Sequence, residues 1–236
     1  MVVANKILRK RYMISLPFSD EAGPVIPGRD PVLVSAYFHW VDDLIEHERL
    51  DYVELKGVEQ PLLAQAIHYG FATCFDNYTF RIDLSQTKED IQSGYHTSIR
   101  RNLKAVRQSG IRVVVNDDSL MSSFYELHQM TMKRLGTPPH KHSFFTNMRN
   151  LLSEQVLFLY AMLEKEPVSA IVIFLDESGY CARYVAGVTN PKYRSLNSNS
   201  LLFDTAIRSA KSRGLSYFDF GVSRPGTGVW EFKRKW

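Results

Sequence analysis

The sequence is poor in cysteine: in 236 residues only Cys74 and Cys181 carry thiols, and both stand in apolar or aromatic surroundings. With no Cys-x-x-Cys pair and no Cys/His cluster, a disulfide framework and a structural zinc site have little support. Both thiols are expected to be buried and inert. Long apolar runs are missing too. No window approaches the roughly 18 to 20 uninterrupted apolar residues of a membrane span. The opening stretch MVVANKILRKRY carries charges where a secretory signal needs an apolar core. The expectation is a cytoplasmic chain without a transmembrane segment. A large excess of one charge is missing as well: the formal net charge is only +4, which permits an anionic partner such as a phosphate, a nucleotide or RNA but compels none. Ser19 and Ser223 lack an adjacent histidine–acid arrangement, which argues against a hydrolase triad. His140 and His142 flank Lys141 with no third ligand nearby, so they read as surface residues and no metal is expected.

What is present suits a globular chain. The hydrophobic share of 44% and charged share of 23% exclude extensive disorder, and the length allows one large or two small domains. Ile14 to Pro24 reads as a short strand broken at Pro17, and Pro31 to His47 as a helix opened by Asp30 and Pro31. It carries apolar residues at helical spacing: Leu33, Tyr37, Trp40, Val41 and Leu44. Asp51 to Lys56 and Tyr78 to Leu84 alternate like strands. A helix capped by Ser85 or Thr87 then runs to Gly110, with acidic charges early and basic charges late.

From Ile111 the order becomes β, α, α, β, β, β, α, β. The three strands Val156 to Leu163, Pro167 to Asp176 and Tyr180 to Val188 are joined closely enough for hairpins. Consecutive hairpins require antiparallel pairing, so a regular βαβ wind is excluded and an α+β fold is expected, its mixed, largely antiparallel sheet flanked by helices. Such a layer often splits two central strands, leaving a slot near the N-terminus of the last helix, where backbone amides can meet an anion.

The loop NPKYRSLNSNSLL, residues 190 to 202, leads into that helix. Glycines would be expected in a phosphate-cradling turn, and asparagine is the next residue most tolerant of positive φ. Either Ser198 or Asn199 merely caps the helix, or Arg194, Asn197, Asn199 and Ser200 contact a donor as well. On the earlier helix Arg100, Lys104 and Arg107 share one face, with Arg101 about 100° away. They form either a solvated surface or a site for phosphate. Asp83 and Asp219 are carboxylates that would cap and hold turns, or deprotonate and orient an attacking amine. EFKRKW, residues 231 to 236, could by itself be a basic strand or a ragged end.

Three stretches carry a family likeness: LPFSDEAGP, TFRIDL with IRRNLKAVRQSGIRV, and FDFGVSRPGTGVWEFKRKW. The chain resembles the FemA/FemB/FemX group of the GNAT acyltransferase superfamily, aminoacyl transferases that build peptidoglycan cross-bridges. It resembles still more the FemAB-like proteins associated with exopolysaccharide and protein-sorting systems. The resemblance implies two GNAT-like halves, here 1–110 and 111–236, with the first abbreviated, in a fragment or a shortened member. It implies an acyltransferase that moves an aminoacyl or acyl group onto an amine of a peptidoglycan or exopolysaccharide precursor. It further implies no tightly bound cofactor and acyl-CoA or aminoacyl-tRNA as co-substrate. The implied partners are a small-molecule or lipid-linked envelope precursor and tRNA, with transient contact at a membrane surface and no DNA. Phe232 and Lys233 match residues at the transfer centre of the group. The alternative is a non-catalytic GNAT-like scaffold that binds polysaccharide intermediates during export.

Overall fold

The strand Val156–Leu163 (β6) is apolar at every position, a pattern that fits a strand covered on both faces. In the computed structural model, which describes residues 2–7, 10–16, 22–57, 60–74 and 77–236, β6 is an interior strand of such a sheet. It pairs antiparallel with Ile111–Val115 (β5) and with Glu166–Leu175 (β7), and β7 pairs antiparallel with Cys181–Thr189 (β8). Glu164 takes positive φ at the first hairpin and Gly179 at the second, where Asp176 accepts hydrogen bonds from the Ser178 amide and hydroxyl. The last strand, Tyr217–Ser223 (β9), runs parallel to β8 and antiparallel to Tyr78–Asp83 (β4). The sheet order is therefore β4-β9-β8-β7-β6-β5.

Successive β6 side chains serve opposite faces. Leu157, Leu159 and Ala161 join a core with Thr97–Gln108 (α4) and Ser198–Ser212 (α7), including Ile99, Leu103, Leu202 and Ile207. Phe158, Tyr160 and Met162 join a second core with Met121–Leu135 (α5) and His142–Leu152 (α6), including Phe124, Leu127, Phe145 and Met148. The expected α+β class and the element order after Ile111 are both present.

The expected helix between Ser85 and Gly110 is two helices, Lys88–Gly94 (α3) and α4. Thr87 caps α3 through the Asp90 amide. Tyr95 is extended, and the His96 ring accepts from the Ser98 amide to cap α4. Gly94 and that competing cap break the helix, since a new N-terminus is stabilised there. At the other end, residues Gly228–Lys233 form a short helix (α8), capped by Thr227 through the Trp230 amide, rather than a basic strand or ragged end.

Backbone contacts divide the chain into Met1–Asp76 and Asn77–Trp236. The expected joint at residue 110 does not coincide with this division. β4 completes the large sheet, and Leu84, Ile91 and Ile99 belong to its core, so residues 77–110 fold together with residues 111–236. In the first unit Val2–Ile7 (β1) and Lys10–Ile14 (β2) pair antiparallel, and β2 pairs parallel with Tyr52–Glu54 (β3). The helix Pro31–Glu48 (α1) connects β2 to β3, with the Asp30 carboxylate accepting from the Val32 amide. Its buried face is Val34, Phe38 and Val41, whereas Leu33 and Trp40 are about half exposed. Of the residues at helical spacing, Val41 is fully buried and Tyr37 packs against the small core, so α1 is apolar on two adjacent stripes of which one is the more deeply buried. Phe38, Val34 and Ala66 form the small core, and Ala66 comes from Gln60–His68 (α2). The short strand expected to start at Ile14 and break at Pro17 is instead Lys10–Ile14, and residues 17–21, including Ser19, lie outside the described residues. Cys181 is buried as expected, but Cys74 is exposed on a loop between elements.

Candidate active site

β8 and β9 pair only from Cys181–Tyr217 to Arg183–Asp219. Beyond that point β8 continues to Thr189 beside β7, while β9 continues to Ser223 beside β4, so the two part and leave the expected slot. Both strands are irregular at the parting. Val185 is an extra residue of β8 against β7, and Phe220–Gly221 oppose a single position of β4, with Gly221 at φ 68°. These are β-bulges, which bend a strand and re-aim its groups.

Lys233, in the last turn of α8, is buried with 3% exposure. Its ammonium donates to the Gly221 carbonyl at 2.8 Å and the Val222 carbonyl at 2.9 Å, on the strand edge beyond the last β8 pair. It also lies over the Tyr184 ring, 5.7 Å from its centre. Burial pushes the Tyr184 phenol up to about 12. A side chain at Gly187 would clash with the Tyr184 hydroxyl, so glycine is what lets the ring lie along β8. Phe232 packs its ring 5.5 Å from Phe203 and 6.0 Å from Trp236, forming an aromatic wall beside the lysine.

The Asn-rich loop forms a 3-10 turn, Pro191–Leu196, then Asn197 at φ 54° as the N-cap of α7. Asn197 supplies the positive φ for which a glycine would otherwise serve. The expected side-chain cap from Ser198 or Asn199 is not formed. The Ser198 hydroxyl instead meets Ser169 at 2.7 Å, and the Asn199 amide donates to Thr189 at 3.0 Å. Ser200 is buried, while Arg194 and Asn197 are exposed; the Asn197 side chain turns back to the Ser195 carbonyl. No side chain caps α7 at this end of the slot.

Asp83 is not brought to Lys233. It pairs with Tyr217 at the start of β9, whereas the lysine binds Gly221 and Val222. Four to five strand residues separate them, about 13–17 Å at the usual rise. Hydrogen bonds from Ser85 and the charge of Lys211 hold the Asp83 carboxyl below its usual value, which weakens it further as a base. Instead it lines a groove of about 480 Å³ with Tyr180, Lys211 and Tyr217.

The three expected phosphate cations also part company. Arg107 binds the fully buried Asp204 of α7 at 2.8 Å, and Arg208 binds the same oxygen at 3.1 Å. Arg100 reaches only the Ser93 carbonyl, at 3.5 Å, and Lys104 is exposed. Asp204 was legible only as an i,i+4 partner of Arg208. Asp219, flanked by the buried Phe218 and Phe220, gave a stronger signal, since a carboxylate on a buried strand must be paired. It is bonded by Thr79, by Arg81 at 2.8 Å, by the Gly221 amide at 2.7 Å and by Arg183 at 3.5 Å. Burial alone would raise its pKa, but these donors outweigh it and hold the carboxyl below its ordinary value. An ionised clamp of this kind is a poor proton acceptor. His140 and His142, expected at the surface, are half-buried against His128 and Tyr125.

Residues 93–234 match the family described as acetyltransferase (GNAT) domain. Among solved structures, the crystal structure of FemX is similar at 14% identity and a TM-score of 0.70, covering 98% of this chain and 79% of that one. The C-terminal domain of a putative lysylphosphatidylglycerol synthetase from Agrobacterium fabrum is similar at 12% identity and a TM-score of 0.56, covering 96% of this chain and 69% of that one. Comparison with curated proteins finds no match.

Proposed function

Since the chain belongs to the family of acetyltransferase (GNAT) domains and shares its fold with FemX, we propose that it transfers an activated acyl or aminoacyl group to an amine of a cell-envelope precursor. The observation that carries this reading is Lys233 held at the parting of β8 and β9 by two backbone carbonyls. The donor, an aminoacyl ester or a thioester, is already activated. Catalysis therefore needs mainly positioning and stabilisation of the oxyanion. In the reaction a C–N bond forms and the donor's C–O or C–S bond breaks, with the amine proton passing to the leaving oxygen or sulfur. The Lys233 ammonium stabilises the charge on the carbonyl oxygen while the carbon is tetrahedral, and Phe232 shapes the wall beside it.

The donor enters the slot, and Arg194 and Asn197 at the start of α7 meet its phosphates. Asn199 and Ser200 act by shaping that turn. Arg100 and Lys104 offer further cations to a phosphate-bearing substrate, whereas Arg107 is committed to Asp204. The acceptor is a peptidoglycan or exopolysaccharide precursor, small or lipid-linked.

The test supplies labelled aminoacyl-tRNA or acyl-CoA with candidate envelope amines and follows label into the acceptor. Wild type should transfer label, and Lys233→Ala should lose about 100- to 1000-fold in kcat, as when one oxyanion donor is removed. Salt-sensitive donor binding would identify the tRNA route. Failure to bind or use either donor class would overturn the reading and leave a binding scaffold as the alternative.

A further inference from the structure

Successive carbonyls of a regular strand point to opposite edges, so two neighbours do not normally accept from one ammonium. Gly221 and Val222 do so for Lys233. The bulge at Phe220–Gly221 makes this geometry available, and its hinge is a residue at φ 68°, where glycine is the residue of choice. The bulge is itself held. The Gly221 amide, which a bulge commonly takes out of the strand ladder, donates to the Asp219 carboxylate at 2.7 Å.

That carboxylate is in turn fixed from three strands. Thr79 and Arg81 reach it from β4, Arg183 reaches it from β8, and it stands on β9 in the last residue pair before the strands part. It is fully buried. We propose that Asp219 is a positioning residue for Lys233: by holding the Gly221 amide it fixes the bulge whose two carbonyls place the ammonium at the slot. The inference rests on the transfer reading for its catalytic consequence, but its structural content is independent of any substrate. The chain of contacts runs from Arg81 and Arg183 through Asp219 and Gly221 to Lys233, and each link is a hydrogen bond of the folded chain.

The experiment uses full-length Asp219→Asn and Gly221→Ala, with Met148→Ala in the opposite core as a control of comparable thermal stability. Folding is checked by circular dichroism. Lysine-labelled protein is examined by correlated 1H–15N NMR of the side-chain ammonium groups, with the Lys233 signal assigned by its loss in Lys233→Met. Wild type should give a Lys233 signal protected from solvent exchange. That signal should be lost or broadened in both variants and retained in the control. In transfer assays kcat should fall about ten- to a hundredfold with KM changed less than about twofold, since positioning and not binding is altered. If Asp219→Asn does not fold, Gly221→Ala decides alone. An unprotected Lys233 in wild type, or an unchanged signal and kcat in folded Gly221→Ala, would overturn the proposal. If wild type transfers nothing, the functional reading falls, and the ammonium signal still decides this one.

Discussion

Single charged residues in this chain divide by what they face, not by their place in the sequence. Arg100, Lys104 and Arg107 share a helical face, yet only Arg107 reaches a carboxylate that is fully buried. The pair is asymmetric, because Arg107 keeps 49% of its side chain exposed while Asp204 has none. Water screens the arginine's share of the interaction, and Arg208 remains on the same carboxylate if Arg107 is removed. Arg107→Ala is therefore expected to cost about 1 kcal/mol of stability, near the upper end for partly exposed pairs. Donor affinity should stay as in wild type. Asp204→Ala should cost more, because two arginines then lose their partner together. Denaturant unfolding of the two variants, beside donor titration of Arg107→Ala, checks both statements. A selective loss of donor affinity in a fully stable Arg107→Ala would return that arginine to the phosphate-binding set.

At the scale of elements, periodicity was a sound guide wherever one face alone was buried or a strand was buried on both. The hairpins β6–β7–β8, the helices α5, α6 and α7, and the return of β9 were all readable. The break between α3 and α4 was not, because it turns on a histidine ring acting as a cap, which no apolar pattern reports. The helical spacing of α1 was readable, but which of its two apolar stripes is the more deeply buried was not. The slot was legible as a consequence of topology, but the bulges that equip it depend on register, which the sequence does not display.

The α5–α6 connection holds a second feature of this kind. His128 of α5 is buried, and its Nε2 accepts from the backbone amide of His140 at 3.2 Å, with the His140 ring stacked beside it. Burial, then the neighbouring His140, lowers its pKa from the ordinary 6.5. The native state then binds fewer protons than the unfolded chain, so stability rises with pH across this window. This contribution is complete above pH 6.5 and is lost as pH falls from there through the lowered native value. Protonation turns the accepting nitrogen into a donor facing a donor. Thermal melts from pH 8 to about pH 5 should show an acid-side decline that is smaller in His128→Gln. Equal slopes in the two proteins would remove His128 from the pH response.

For the whole molecule, the division at Asp76 and the family match over residues 93–234 bear on the same question. Every residue of the slot lies in the second unit: Tyr184 and Gly187 on β8, Asp219 and Gly221 on β9, Asn197 at the start of α7, and Lys233 on α8. That unit has a core on each face of its sheet, whereas the first unit buries the small group around Val34, Phe38 and Ala66. Larger domains bury a greater share of their surface, so 160 residues should suffice for independent folding and 76 should be marginal. The most specific stretch of the family resemblance, FDFGVSRPGTGVWEFKRKW, lies wholly in the second unit. A polypeptide of residues 77–236 is therefore expected to unfold in a single cooperative transition and to keep the protected Lys233 ammonium signal. Residues 1–76 alone should melt broadly or not at all. The measurement is calorimetry on both pieces, with ammonium NMR on the larger. A larger piece that folds without the protected signal would show that residues 1–76 are needed to form the slot.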